Sequence, residues 1–134
     1  MICPYCSGQT KVTNSRSHND EQAVWRRRQC KKCSALWSTD ESFTLETSHR
    51  VKRPQHKHLE PFSRDELFIS IRESLIHRKH PTADATALTA TIITKLLAQK
   101  DPIINTRTIK TVSKEVLNRF DKTAAAVYAS RHDS

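Results

Sequence analysis

Glycine is nearly absent: Gly8 is the only one in 134 residues. An all-β fold needs glycine at its tight turns and aromatic residues on its sheet faces. With aromatics at only 6 %, the composition argues instead for a mainly helical body. No apolar run is long enough to anchor the chain in a bilayer or to export it. Cys3 lies so near the start that no secretory leader is expected, so the thiols are expected to stay reduced in a cytoplasmic setting with no membrane partner. Acidic residues are few as well. With 14 Asp and Glu against 23 Lys and Arg, the net charge of +9 points to a polyanionic partner, because cations bound to phosphates gain affinity through counterion release.

What the chain does have is four cysteines in two pairs, Cys3-Pro4-Tyr5-Cys6 and Cys30-Lys31-Lys32-Cys33. Each C-x-x-C turn aims two thiolates at one point, and two turns complete a closed tetrahedral sulfur shell with no open position for substrate. Zn2+ bound there is structural. The small residues that follow, Ser7-Gly8 and Ser34-Ala35, suit knuckles whose backbone N–H groups turn back toward sulfur. The alternatives are a redox pair or two disulfides. A redox pair normally occurs once beside a βαβ pattern, and disulfides need an oxidising compartment, so the doubled spacing favours zinc.

The positive residues cluster on this module. Within the first 35 residues Lys11, Arg16, Arg26, Arg27, Arg28, Lys31 and Lys32 stand against Asp20 and Glu21 alone, which reads as a nucleic-acid contact face, the alternative being a solvated arginine run. Thr10 to Arg16 and Ala23 to Arg26 are strand candidates around a turn at Ser17-His18-Asn19-Asp20. Ala35 to Thr39 would complete a three-stranded zinc ribbon, with Trp25 and Trp37 as its packing residues. So short a segment cannot bury a sufficient core without its metal.

Residues 1–42 are therefore expected to form the ribbon and 43–134 a second domain. Phe43 to Glu46 and Arg50 to Arg53 read as short strands, followed by a loop in which His56 and His58 are expected to be simply polar. Ser63-Arg64-Asp65-Glu66 is a capping box opening a helix with Leu67, Phe68, Ile71, Leu75 and Ile76 on one face, ended by Pro81. A second helix spans about Ala83 to Lys100 through Leu88, Ile92, Ile93, Leu96 and Leu97, stopped by Asp101-Pro102. A third spans Thr106 to Phe120 through Ile109, Val112, Val116, Leu117 and Phe120, and a fourth, Thr123 to Ser130, packs through Val127 and Tyr128. The fold class is α+β.

Taken in order, Cys3-Pro4-Tyr5-Cys6, Thr10-Lys11-Val12, Ser15-Arg16, Arg26-Arg27-Arg28-Gln29-Cys30, Ser38-Thr39, Glu41, Val51-Lys52-Arg53, Glu60-Pro61-Phe62 and Asp121-Lys122 resemble the NrdR family over nearly the whole chain. That family comprises bacterial transcriptional repressors of ribonucleotide reductase genes. The resemblance implies a DNA-binding zinc ribbon joined to an ATP-cone, a small helical domain with a β-hairpin lid. It also implies ATP or dATP as effector, homo-oligomers whose size sets access to a double-stranded operator, and a nucleoid-associated location.

Within the second domain Val51, Lys52 and Arg53 would bring two cations beside the helix that starts at Ser63, where triphosphate oxygens can be met. By resemblance Glu60 meets the sugar or base, and Arg78-Lys79 stand near the family's basic pair after the first helix. Pro54-Gln55-His56-Lys57-His58 replaces the family's glycine and tight turn, and Glu66 stands where the family often carries lysine. Two other readings belong to different classes: an ATP-cone module docking on a nucleotide enzyme, and a zinc-ribbon factor of the transcription or translation machinery without a nucleotide effector. The chain itself is not expected to be an enzyme, because no triad spacing occurs and the metal shell is closed.

Overall fold

The computed structural model describes residues 1–17 and 23–133, so the expected turn residues His18, Asn19 and Asp20 lie outside the described residues. Three antiparallel strands, β1 (Thr10–Ser17), β2 (Ala23–Cys30) and β3 (Leu36–Ser42), form one sheet in the order β1-β2-β3. Thr10 faces Cys30 and Ser17 faces Val24 across the first pair, while Gln29 faces Leu36 across the second. Two C-x-x-C turns close one end of this sheet. Little apolar surface is buried there: among the described residues Cys3 and Cys30 are the buried apolar ones, and Trp25 and Trp37 are half-buried, with the Tyr5 ring edge-on to Trp37 at 6.2 Å. A sheet with so thin a core depends on its metal.

The chain forms two compact units, Met1–Thr44 and Leu45–Ser134. The second unit begins with a single helical turn, α1 (Leu45–Ser48), in place of the short strand expected over Phe43 to Glu46. The β-branched Thr44 and the aromatic Phe43 suggested extension, but Leu45 packs against the helical core and His49 N–H closes the turn on the Leu45 carbonyl at 3.0 Å. Strand β4 (Arg50–Lys52) then pairs antiparallel with β5 (Glu60–Pro61) to give the hairpin. On its other side β4 runs parallel to β6 (Ile103–Asn105), a strand with no sequence expectation. Its pairing spans a long crossover, and three residues after Asp101-Pro102 carry too little pattern to reveal it.

Helix α2 (Arg64–Ser74) starts at Ser63, whose Oγ accepts the Glu66 N–H at 3.2 Å. The reciprocal half of the expected capping box is not made, because the Glu66 carboxylate turns to Arg53 instead. The helix also ends earlier than expected. Pro81 does not stop it but occupies the first turn of α3 (Pro81–Leu97), where a missing N–H costs nothing. Ile76 consequently lies past the end of α2 and is 65 % exposed rather than in the core. Lys100, at φ 55°, turns the chain after α3 in a left-handed conformation usually left to glycine.

Helices α4 (Thr106–Phe120) and α5 (Lys122–His132) complete the bundle. Phe120 is 41 % exposed, its ring covered by the Arg78 guanidinium at 4.5 Å, so it caps the core's edge rather than filling it. In α5 the buried positions are Ala124 and Tyr128, with Val127 only half-buried. Asp121 caps α5 by accepting the Ala124 N–H at 3.0 Å, and the same carboxylate meets His77 and Arg78, each at 3.0 Å. One core unites Ile71, Leu75, Ile92, Leu96, Val116 and Leu117 with Val51 and Ile104 of the small sheet. Burying each of these side chains contributes roughly 1.5–3 kcal/mol. No described helix is long and apolar enough to cross a membrane.

Candidate metal centre and nucleic-acid interface

The sulfurs of Cys3, Cys6, Cys30 and Cys33 all lie within 4.8 Å of one another. Cys3 and Cys33 approach to 3.7 Å and Cys6 and Cys30 to 3.4 Å. A tetrahedron with Zn–S bonds of about 2.3 Å has edges of about 3.8 Å, so the cage has the dimensions of a closed tetrathiolate site. The two knuckles follow one plan. Cys3 N–H donates to the Gly8 carbonyl and Cys30 N–H to the Ala35 carbonyl, both at 2.9 Å, and the serine after each pair is left-handed, Ser7 at φ 59° and Ser34 at φ 62°. Gly8 has a different reason to be glycine. A Cβ there would lie 3.0 Å from Lys32 Cβ, 3.2 Å from Cys6 Sγ and 3.3 Å from Cys30 Sγ.

Backbone N–H groups of Tyr5, Lys32 and Cys33 point at sulfur over 3.3–3.4 Å. The Cys33 N–H, against burial and helped by the Lys32 N–H and neighbouring sulfurs, lowers the Cys30 thiol to about 6. Cys33 itself receives the Ala35 N–H, yet burial and the other three sulfurs push it up to about 12. Four thiols packed this tightly cannot all ionise on their own; a dication that deprotonates them together resolves the conflict. The residues present therefore fit a structural zinc ion, which when bound supplies folding free energy to the ribbon.

The cations expected on one contact face divide between two. Paired residues in neighbouring strands point to the same side, and the β1–β2 register slips between Val12 and Asn14, leaving Thr13 as an extra residue whose Oγ1 donates to the Arg27 carbonyl at 3.3 Å. Lys11, Asn14 and Arg16 consequently share a face with Trp25, Arg27 and Gln29. Arg26 and Arg28 lie on the opposite face with Trp37, Thr39 and Glu41. There Arg26 is ion-paired to Glu41, and Arg28 Nε donates to Thr39 Oγ1 at 3.4 Å. Lys31 is exposed in the second knuckle, its N–H bonded to the Gln9 carbonyl at 2.9 Å.

In the helical unit, Val51 and Arg53 line a cavity of about 150 Å³ with Ser63, Glu66, Ser70, Thr106, Lys110, Tyr128 and His132. Arg53 Nε donates to Glu60 at 2.5 Å and its Nη2 to Glu66 at 3.3 Å, while His56 Nδ1 meets Glu60 at 2.6 Å. The bond to Glu60 raises the Arg53 pKa, and the same bond, followed by that from His56, lowers the Glu60 carboxyl. His132 stacks on Tyr128 at 4.2 Å and pairs with Ser70 at 2.7 Å; burial, then Lys110 and Arg131, lowers its pKa. Lys52, beside them in sequence, points the other way into a cleft of about 370 Å³ with Asn105 and Arg107. Arg78 lines neither. It is engaged by Asp84 at 2.8 Å and by Asp121, with Lys79 exposed beside it.

Ser70, Thr106, Lys110 and His132 had no signal in the sequence, and Tyr128 was expected only as a packing residue. Thr106 and Lys110 lie one turn apart on α4 and Tyr128 and His132 one turn apart on α5, and only the packing of α2 and α4 against α5 gathers them with Ser70.

A profile describing the N-terminal domain of proteins like the transcriptional repressor NrdR matches residues 1–41. Over 131 residues, covering 97 % of this chain and 84 % of the relative, the sequence is 31 % identical to the transcriptional repressor NrdR of Anaplasma phagocytophilum. It is 34 % identical over 125 residues to that of Ruthia magnifica, covering 92 % and 83 %. Against the protein of the same name from Symbiobacterium thermophilum it is 31 % identical over 130 residues, covering 97 % and 85 %.

Proposed function

The chain belongs to the NrdR family of transcriptional repressors, and from that premise we propose that it represses ribonucleotide reductase genes by binding operator DNA through its zinc ribbon, under control of ATP or dATP. The observation that carries this reading is the tetrathiolate cage at one end of a sheet whose Lys11, Arg16 and Arg27 are exposed. Cys3, Cys6, Cys30 and Cys33 hold the strands at fixed spacing, so these cations meet the duplex without first ordering the backbone. A ribbon this small contacts only a short stretch of duplex. Two or more copies on spaced half-sites supply the rest of the affinity, so the state of oligomerisation sets occupancy of the operator.

The helical unit would read the effector. Arg53, Lys110 and the N-terminus of α2 at Ser63 present positive potential to a triphosphate at the cavity, with Tyr128 offering an aromatic wall. Glu60 and Glu66 now hold Arg53, so a nucleotide must take the guanidinium from one of them. Lys52 on the opposite side of β4, together with Arg78 and Lys79 in the segment between α2 and α3, would act outside this cavity. The test is a gel shift of zinc-loaded protein on the promoter of the organism's own reductase operon, with no nucleotide, ATP and dATP in turn. Retardation specific to that promoter and altered by nucleotide is expected. Binding no stronger than to random duplex would overturn the repressor reading, and specific binding insensitive to both nucleotides would overturn the effector.

A further inference from the structure

We infer that base sequence is read by one face of the β1–β2 ribbon, with Asn14 and Arg27 contacting base edges and Lys11 and Arg16 anchoring phosphates on either side. This rests on the DNA-binding reading above and deepens it by choosing a face and assigning the readout.

The face is made by the bulge. In an unbroken strand Lys11 and Asn14, three residues apart, would point to opposite sides, and Lys11 would oppose Arg16 as well. The extra residue Thr13 reverses that alternation, so Lys11, Asn14 and Arg16 all emerge on the side of Arg27. All four side chains are exposed, and among the described residues none of them has a hydrogen bond or ion pair, whereas Arg26 and Arg28 on the other side are held by Glu41 and Thr39. Free guanidinium and amide groups are what a nucleic acid can recruit without breaking an existing contact.

The chemistry and spacing agree. Arg contacts guanine O6 and N7 with two donors, and Asn contacts adenine N6 and N7 through its paired acceptor and donor. Asn14 and Arg27 face each other directly across the ladder, with Cβ atoms about 5 Å apart, a distance suited to adjacent base pairs stacked at about 3.4 Å. Lys11 and Arg16 face Gln29 and Trp25, four residues apart along β2 or about 13 Å, enough to bracket a major groove about 12 Å wide, which admits a two-stranded ribbon. On this face β3 presents Leu36, Ser38 and the exposed Asp40, opposite Trp25, and no cation. Phosphate contact is thereby confined to the β1–β2 half.

The experiment selects duplexes from a randomised pool with zinc-loaded full-length protein, then repeats the selection and salt titrations with variants confirmed to retain one zinc per chain. Asn14→Asp and Arg27→Lys should each lose discrimination at one motif position by roughly 5- to 150-fold, with Arg27→Lys keeping the wild-type salt slope because the charge remains. Lys11→Ala and Arg16→Ala should weaken binding to all sequences alike and reduce the salt slope by about one each. Arg28→Ala should leave the selected motif unchanged. Enrichment of the wild-type motif by Asn14→Asp and Arg27→Lys, or its loss in Arg28→Ala, would overturn the face assignment. A wild-type protein that enriches no sequence would instead sink the DNA-binding reading on which it stands.

Discussion

Replacing Gly8 with alanine tests whether the cage is as tightly packed as its geometry requires. The added methyl would sit 3.0–3.3 Å from Lys32 Cβ, Cys6 Sγ and Cys30 Sγ, and the two sulfurs cannot retreat without leaving the metal. Gly8 does not have a positive φ, so alanine meets no backbone penalty and the effect is steric. Overpacking costs about 1–3 kcal/mol, and loss of glycine's freedom in the unfolded chain returns about 0.4–1 kcal/mol. The net cost is about 1–2 kcal/mol. Because folding of the ribbon is coupled to metal binding, zinc affinity should fall by roughly 5- to 30-fold. Competition with a chromogenic chelator measures this. Ala35, at the matching position of the second knuckle, already carries a Cβ, so Ala35→Gly should change affinity far less. A Gly8→Ala protein that holds zinc as tightly as wild type would refute the packing argument.

The helical unit gives further expectations. Leu117 is fully buried, and Leu117→Ala should destabilise that unit by about 2–5 kcal/mol in denaturant unfolding while leaving zinc content unchanged. His77 first, then the Ala124 N–H and Arg78, hold the Asp121 carboxyl far below the usual carboxylate range. Its contribution is therefore present above about pH 4 and fades as pH falls toward the lowered folded value, so the stability gap between wild type and Asp121→Asn should be seen at pH 7 and close in acid; a gap constant with pH would contradict it. Lys100→Gly should stabilise the unit by up to about 1 kcal/mol by relieving a left-handed residue, read as a raised melting temperature. Glu66→Gln removes one of the two carboxylates holding Arg53, and ATP should bind more tightly by calorimetry; equal or weaker binding would show that Glu66 does not compete with the triphosphate.

The zinc cage was legible because its chemistry is written in local spacing: two C-x-x-C turns determine where four sulfurs meet before any tertiary contact is known. The ribbon strands followed from β-branched runs between them. Hidden from the sequence was the bulge at Thr13, a single-residue slip that brings Lys11 to the face of Asn14, Arg16 and Arg27, while strand alternation leaves Arg26 and Arg28 on the other, so clustering in sequence overstated clustering in space. Three amphipathic helices were legible from their periodicity, but Pro81 was misread because proline marks the start of one helix as readily as the end of another. The lone glycine was foreseen as a turn residue, whereas its role is to let the two knuckles approach. The cavity was least visible. Val51-Lys52-Arg53 marked Arg53, but Lys110 and His132 join it only through long-range packing, and no local pattern marks those two.

The element proposed to grip DNA is the metal-ordered ribbon. Fluorescence anisotropy of a labelled reductase-promoter duplex, followed while zinc is chelated and then restored in one sample, addresses it directly. Binding should vanish with the metal and return with it, while the far-ultraviolet signal of the helices persists. Undiminished binding by the zinc-free protein would contradict it.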